Sequence, residues 1–263
     1  MVTLDQAGHS PGEVRALAST TCIGQYVECL SLQRPARGSE VTRLWRIVAD
    51  DAPHIMLQCS RGDDGLRHRV LVVGSRRTFT DIDLSRRALT LVARLRPGAL
   101  SSLFGVSAHE LTDLGAPIEE LVGPRLGGAV DRVVTEAVES PFEAMEKFIM
   151  TLSERAEPID PRARVIASLL SDPQASVAGV ATSVGLSARG LRGFVSRMAG
   201  MSPKRFVRIR RLHRALAAGL PNPRTGWSMP ALSAGFVDQS HLVHDCKALL
   251  GESPTRFARR RLA

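Results

Sequence analysis

Arg189 and Arg192 stand three residues apart, a spacing that puts both side chains on one face of a helix. A guanidinium can pair bidentately with guanine O6 and N7, so two on one face could read base edges; plain contact with phosphate is the other use open to each. A second set, Gln239, Ser240, Val243 and His244, would face the same kind of target from a second helix. Gln239 could hold adenine there, or serve only to support the start of its helix. Ser187, Lys204, Arg208, Arg211 and Lys247 are the hydroxyl and cations suited to phosphate.

The charge distribution points to the same chemistry. Residues 171–263 hold 15 Lys and Arg against 4 Asp and Glu, a balance of +11, while residues 1–170 hold 20 against 22. All of the formal +9 therefore sits in the last third of the chain. A basic segment joined to a neutral one predicts a polyanionic partner for that segment alone, against the plainer reading of a generally basic surface.

What must position these side chains is legible as a repeat. Gly200-Met201-Ser202-Pro203-Lys204-Arg205-Phe206 recurs 51 residues later as Gly251-Glu252-Ser253-Pro254-Thr255-Arg256-Phe257. Leu191 falls on Leu242 and Arg208 on Arg259 at the same offset. Each copy reads as helix, tight turn, helix. In the first, Ser176 caps a helix with an apolar face of Val177, Val180, Ala181 and Val184; Gly185 ends it, and Ser187 caps the next. In the second, Ser228 is the expected cap, with Trp227 and Leu232 as a hydrophobic staple; Ala234-Gly235 makes the turn and Asp238 caps the next helix. Two helices joined by a short Gly-containing turn form a helix-turn-helix, whose second helix enters the major groove. The units are expected at about 176–199 and 228–250, joined by a linker helix over 203–219.

The first 21 residues read as a tail. From 22 to 97, alternating runs (Ile55, Leu57, Cys59; Leu89, Leu91, Ala93, Leu95) and the buried-strand run Val70-Leu71-Val72-Val73 are broken by Asp50-Asp51-Ala52-Pro53, Arg61-Gly62-Asp63-Asp64-Gly65 and Arg96-Pro97-Gly98. A small antiparallel sheet or barrel fits. Two amphipathic helices follow, one carrying Leu126, Val130, Val133, Val134 and Ala137, the other opening at Ser140-Pro141 and carrying Phe142, Met145, Phe148, Ile149 and Leu152. They could lie over the sheet or against a second copy of the chain. Glu157-Pro158-Ile159-Asp160-Pro161 is the expected linker between domains 22–157 and 158–263. The predicted fold class is thus an α+β N-terminal domain and an all-α C-terminal domain.

Residues 176–260 resemble the paired helix-turn-helix domain of the AraC/XylS family of bacterial regulators. Gly235-Phe236-Val237-Asp238-Gln239-Ser240-His241, then Lys247, Gly251, Ser253 and Pro254, carry the resemblance in the second unit; Ser187, Arg189, Leu191, Gly200, Ser202, Pro203, Arg210 and Ala215 carry it in the first. Residues 22–123 resemble an N-terminal domain of uncharacterised function found in one AraC-like subgroup, through Arg96-Pro97-Gly98-Ala99 and Glu110-Leu111-Thr112-Asp113. The resemblance implies a sequence-specific regulator binding promoter DNA, with Arg210 holding the units together. It places His241 and His244 on a DNA helix, against the metal site that His241-x-x-His244 with Asp245 and Cys246 suggests. The chain departs from the family at Gly193 and His244, where an arginine is usual, and at Val195, Leu242 and Cys246, where phenylalanine is usual.

No Gly-x-Ser-x-Gly, Gly-x-Gly-x-x-Gly, His-Glu-x-x-His or His-x-His occurs, so neither an enzyme, a metal nor another cofactor is expected. Cys22, Cys29, Cys59 and Cys246 lack paired spacing and read as reduced thiols, with Cys22 and Cys29 in the core. With no apolar span and no basic-apolar leader, a cytoplasmic protein without membrane contact is expected. RNA polymerase, a small-molecule effector and a second copy of the chain are further partners this reading admits. A protein–protein interaction module on a degenerate helix-turn-helix is the alternative.

Overall fold

A computed structural model of the chain describes residues 13–16, 22–33, 44–62, 65–83, 87–123 and 126–262. The N-terminal half builds strands β1 (Glu13–Ala16), β2 (Val27–Gln33), β3 (Leu44–Ile47), β4 (His54–Gly62), β5 (Gly65–Val73), β6 (Thr80–Asp83), β7 (Arg87–Leu95) and β8 (Gly115–Pro117). Six form an antiparallel sheet ordered β1-β2-β7-β4-β5-β8, and β3 pairs with β6 in a separate ribbon. The centre is a β4–β5 hairpin closed at Gly62 and Gly65, with β7 on its other side pairing Leu57 to Leu91.

Alternation along β4 and β7 has the expected effect on one face. Ile55, Leu57, Cys59, Leu91, Ala93 and Leu95 are buried in the main N-terminal core. The other face is buried as well, through Met56, Gln58, Thr90, Val92 and Arg94. The sheet is therefore covered on both sides.

Helices α1 (Ala99–Phe104) and α2 (Ile118–Val122) precede the amphipathic pair α3 (Gly127–Glu136) and α4 (Pro141–Ser153). This pair resolves the alternative left open by its sequence. Val130, Val133, Met145, Phe148, Ile149 and Leu152 share one core with Leu30, Ile55 and Leu57, so their stripes are spent on this chain's own sheet and not on a second copy. Ser140 occupies the N-cap of α4 with Pro141 in its first turn, without a side-chain capping bond.

The expected linker is tied down. Ser102 Oγ donates to the Glu157 carbonyl, and Glu157 N–H donates back to Ser102 O at 3.0 Å. Asp160 then caps α5 (Pro161–Ser171), a helix that the sequence pattern does not single out; Ile166 and Leu170 of α5 enter the C-terminal core. The rest is helical: α6 (Val177–Ser183), α7 (Ala188–Ala199), α8 (Pro203–Gly219), α9 (Ser228–Ser233), α10 (Gln239–Leu250) and α11 (Pro254–Leu262). Cys29, Cys59 and Cys246 are buried thiols, whereas Cys22, expected in the core, is exposed. Among the described residues no helix is long and apolar enough to cross a membrane.

Candidate nucleic-acid interface

The two helix-turn-helix units are α6–α7 and α9–α10. Their shared residues do the same local work twice. Gly200 and Gly251 end α7 and α10 in the left-handed region, at φ 69° and 77°, which glycine enters without steric cost. Ser202 and Ser253 then accept the N–H of Arg205 and Arg256, each at 3.3 Å, to start the following helix. Pro203 and Pro254 follow those caps, and Phe206 and Phe257 are fully buried below them. Gly185 and Gly235 make the inner turns, again at positive φ.

The first unit starts as its sequence suggests, with Ser176 and Ser187 accepting from Gly179 and Gly190 N–H. The second unit corrects one expectation. Trp227, not Ser228, occupies the N-cap of α9, and Ser228 Oγ donates to Gln239 Oε1 at 2.8 Å. Trp227 is buried with its ring over Gly219, while Leu232 is exposed, so the staple does not form. Asp238 caps α10 as expected, accepting His241 N–H at 2.7 Å.

On these helices Arg189, Arg192, Gln239, Ser240 and His244 are exposed and Val243 is half-buried. Of the phosphate candidates, Ser187, Lys204 and Lys247 are exposed and Arg211 is half-buried. Arg208 is drawn inward: its guanidinium bonds the buried Asp245 carboxylate at 2.7 and 2.9 Å, pinning α8 to α10. Arg208, expected on phosphate, thus ties the linker helix to the second unit. Of the metal-like set, His244 Nδ1 lies 3.6 Å from Asp245 Oδ1. His241 stacks edge-on against Phe236, Asp245 is committed to Arg208, and Cys246 is fully buried, where burial pushes its thiol up.

Arg210 instead faces the N-terminal domain, bonding Asp51 at 2.6 Å. Asp51, which reads as turn material in the sequence, belongs to a buried charge network. Arg94 spans Asp51 at 3.0 Å, Asp50 at 2.7 Å and Glu28 at 3.2 Å. Burial pulls the Arg94 guanidinium down, but Asp50, Asp51 and Glu28 together outweigh it and hold it firmly charged. His54, also buried, is pushed down to about 4 by desolvation against the opposing pull of Asp50, and so stands neutral. Asp50, Asp51 and His213 bring potential metal-ligand atoms within 4.8 Å. Arg94 and Arg210 already compensate the two carboxylates, and His213 Nε2 lies 2.9 Å from the Ala49 carbonyl.

A cleft of about 430 Å³ opens where α1, the linker and α7 meet. Ser101, Glu157, Arg162, Phe194, Arg197 and Met198 line it, so its wall includes one side of α7.

Comparison with known proteins agrees with this geometry. A family model described as a helix-turn-helix domain matches residues 163–260, and a model described as a domain of unknown function (DUF6597) matches residues 18–117. No curated protein matches the chain. Among solved structures, ToxT from Vibrio cholerae O395 covers 87% of this chain and 97% of its own at 10% identity and TM-score 0.45. A second ToxT crystal form covers 89% and 99% at 10% identity and TM-score 0.48, and a ToxT bound to an unsaturated fatty acid covers 87% and 98% at 10% and 0.46. At these scores the likeness carries no weight of its own. With the doubled unit, the family match shows residues 163–260 to be a helix-turn-helix domain of the AraC type, a DNA-binding regulator's domain.

Proposed function

We propose that the chain reads promoter DNA sequence-specifically, placing α7 and α10 in two successive major-groove segments on one face of the duplex. The observation that carries this is the pairing of one internal scaffold, repeated at Gly200/Gly251 and Ser202/Ser253, with exposed polar faces on both second helices. The 17 residues of α8 span roughly 25 Å at about 1.5 Å per residue. Such a strut suits recognition helices about 34 Å apart. Arg189 and Arg192 would read bases from α7, and Gln239, Ser240, Val243 and His244 from α10. Ser187, Lys204, Arg211 and Lys247 would take phosphates. Arg208 would add its field from within its ion pair.

Reading DNA in this way needs no catalysis and no cofactor. A small-molecule effector would occupy the cleft against α7; RNA polymerase and a second copy remain further partners of this reading, in the cytoplasm. Binding by phosphate neutralisation falls steeply with salt. A gel shift on duplexes selected from a random pool by the full chain should therefore weaken by orders of magnitude between about 50 and 200 mM salt. Arg189→Ala should cost about 1–3 kcal/mol on the selected site and relax one base pair. Equal weakening on all sequences would make Arg189 a phosphate contact.

A second reading, a protein-binding module, is favoured by one feature. Met229, Leu232 and Val237 are 73%, 53% and 77% exposed on the α9 side of the second unit, an apolar group that DNA would not use. Absence of any salt-dependent shift would favour it.

A further inference from the structure

We propose that the N-terminal domain sets the spacing of the two recognition helices, with Asp51, Thr78 and Thr112 as positioning residues for the distance between DNA half-sites. The inference rests on the two-unit reading above. It starts from the 51-residue repeat: the domain touches both units at the same repeat position. A Cβ on Gly200 would lie 2.5 Å from Ser75 Oγ and from Thr112 Oγ1; one on Gly251 would lie 2.8 Å from Arg46 Nη1 and from Phe79 Cζ. Both glycines are thus points of close approach between domains, as well as helix ends.

The same ends are also hydrogen-bonded. The last carbonyls of a helix have no partner within it. Thr112 Oγ1 donates to Gly200 O at 2.7 Å beyond α7, while Thr78 Oγ1 donates to Ala248 O and Ala49 N–H to Leu249 O, each at 3.2 Å, in α10. Between these two grips, Arg210 and His213, one turn apart on α8, meet Asp51 and the Ala49 carbonyl. Asp51 is fixed in turn by Arg94, a central-strand residue held by Asp50 and Glu28. Three points of one sheet domain therefore hold α7, α8 and α10 at once.

The grips fall on helix ends and on α8, whereas Arg189, Arg192, Gln239 and His244 stay exposed. The domain accordingly positions the reading faces and leaves them open. Without it, the angle between units would depend on α8, the Arg208–Asp245 pair and the apolar core that the C-terminal helices share.

The test uses the full chain, with Cys22→Ser removing the exposed thiol and spin labels at Ala178→Cys in α6 and Leu232→Cys in α9. Pulsed dipolar spectroscopy without DNA should give one narrow distance distribution. In the Asp51→Asn/Thr78→Val/Thr112→Val triple variant its width should at least double, with circular dichroism unchanged. A native width in the triple variant overturns the proposal. If the triple variant does not fold, Thr78→Val/Thr112→Val, which leaves the charge network whole, is read the same way. On selected duplexes, inserting two base pairs between half-sites should weaken the parent chain about tenfold or more, equivalent to about 1.4 kcal/mol, and the variant markedly less. Equal losses would also overturn the proposal. A selected pool with only a single half-site would overturn the two-unit reading instead, and the spacing role with it.

Discussion

The two helix-turn-helix units share a skeleton and differ in what they show to solvent. Both keep Gly, Ser, Pro and Phe at matched positions, with matching caps and with the Pro and Phe buried in each. Their second helices then diverge. α7 carries Arg189, Arg192 and Arg197 with two interior glycines, Gly190 and Gly193; α10 carries amide, hydroxyl and imidazole groups with Lys247 as its cation. The entry helices diverge as well, since α9 exposes Met229 and Leu232 where α6 exposes Ala178, Gly179 and Thr182. Folding constrains the buried repeat positions equally, while each outward face is free to take its own partner chemistry.

The hardest way to break this comparison is to cut the shared skeleton. Phe206→Ala and Phe257→Ala each remove a fully buried ring, and each should cost about 3–5 kcal/mol in denaturant unfolding of the full chain. Costs differing by more than about 2 kcal/mol would show that one unit lends the other its stability. Acid should act next, and on neither unit directly. Because burial pushes His54 down to about 4, the unfolded chain takes up a proton below its ordinary value near 6.5 that the folded chain refuses. Stability is full above about pH 6.5 and should drop by about 3 kcal/mol as pH falls toward 4. His54→Gln should flatten that slope in urea midpoints measured across this range; an unchanged slope would assign it to other groups. The smallest effect sharpens the contrast between the second helices. Gly193 sits mid-helix, and a Cβ added there would meet nothing nearer than Arg197 Nη1, at 3.5 Å. Gly193→Ala should therefore stabilise the chain by about 0.5–1 kcal/mol, seen as a higher thermal midpoint. A loss would mean that α7 needs the gap.

Much of this was legible in the sequence for physical reasons. Caps, turn glycines and the repeat are local, so Ser176, Ser187, Asp238, Gly185 and Gly235 declare themselves in the chain. Alternation likewise revealed β4 and β7, and the apolar run Val70-Leu71-Val72-Val73 revealed β5. What stayed hidden depends on contacts between domains. Asp50 and Asp51 have the look of a solvated turn, yet Arg94 bonds both and Arg210 of α8 meets Asp51, leaving both acids buried. Arg208 looks like any surface cation until Asp245 is found beneath it. Trp227 displaced Ser228 from the expected cap because the ring needed the space over Gly219, a tertiary demand that local capping rules do not contain.

The central claim is that both units read DNA through unlike faces. Hydroxyl-radical footprinting of the full chain on its selected duplex tests it most directly. Two protected stretches should appear on one face, about 10 base pairs apart, with Arg189→Ala weakening one and Gln239→Ala the other. A single protected stretch, unaffected by Gln239→Ala, would contradict it.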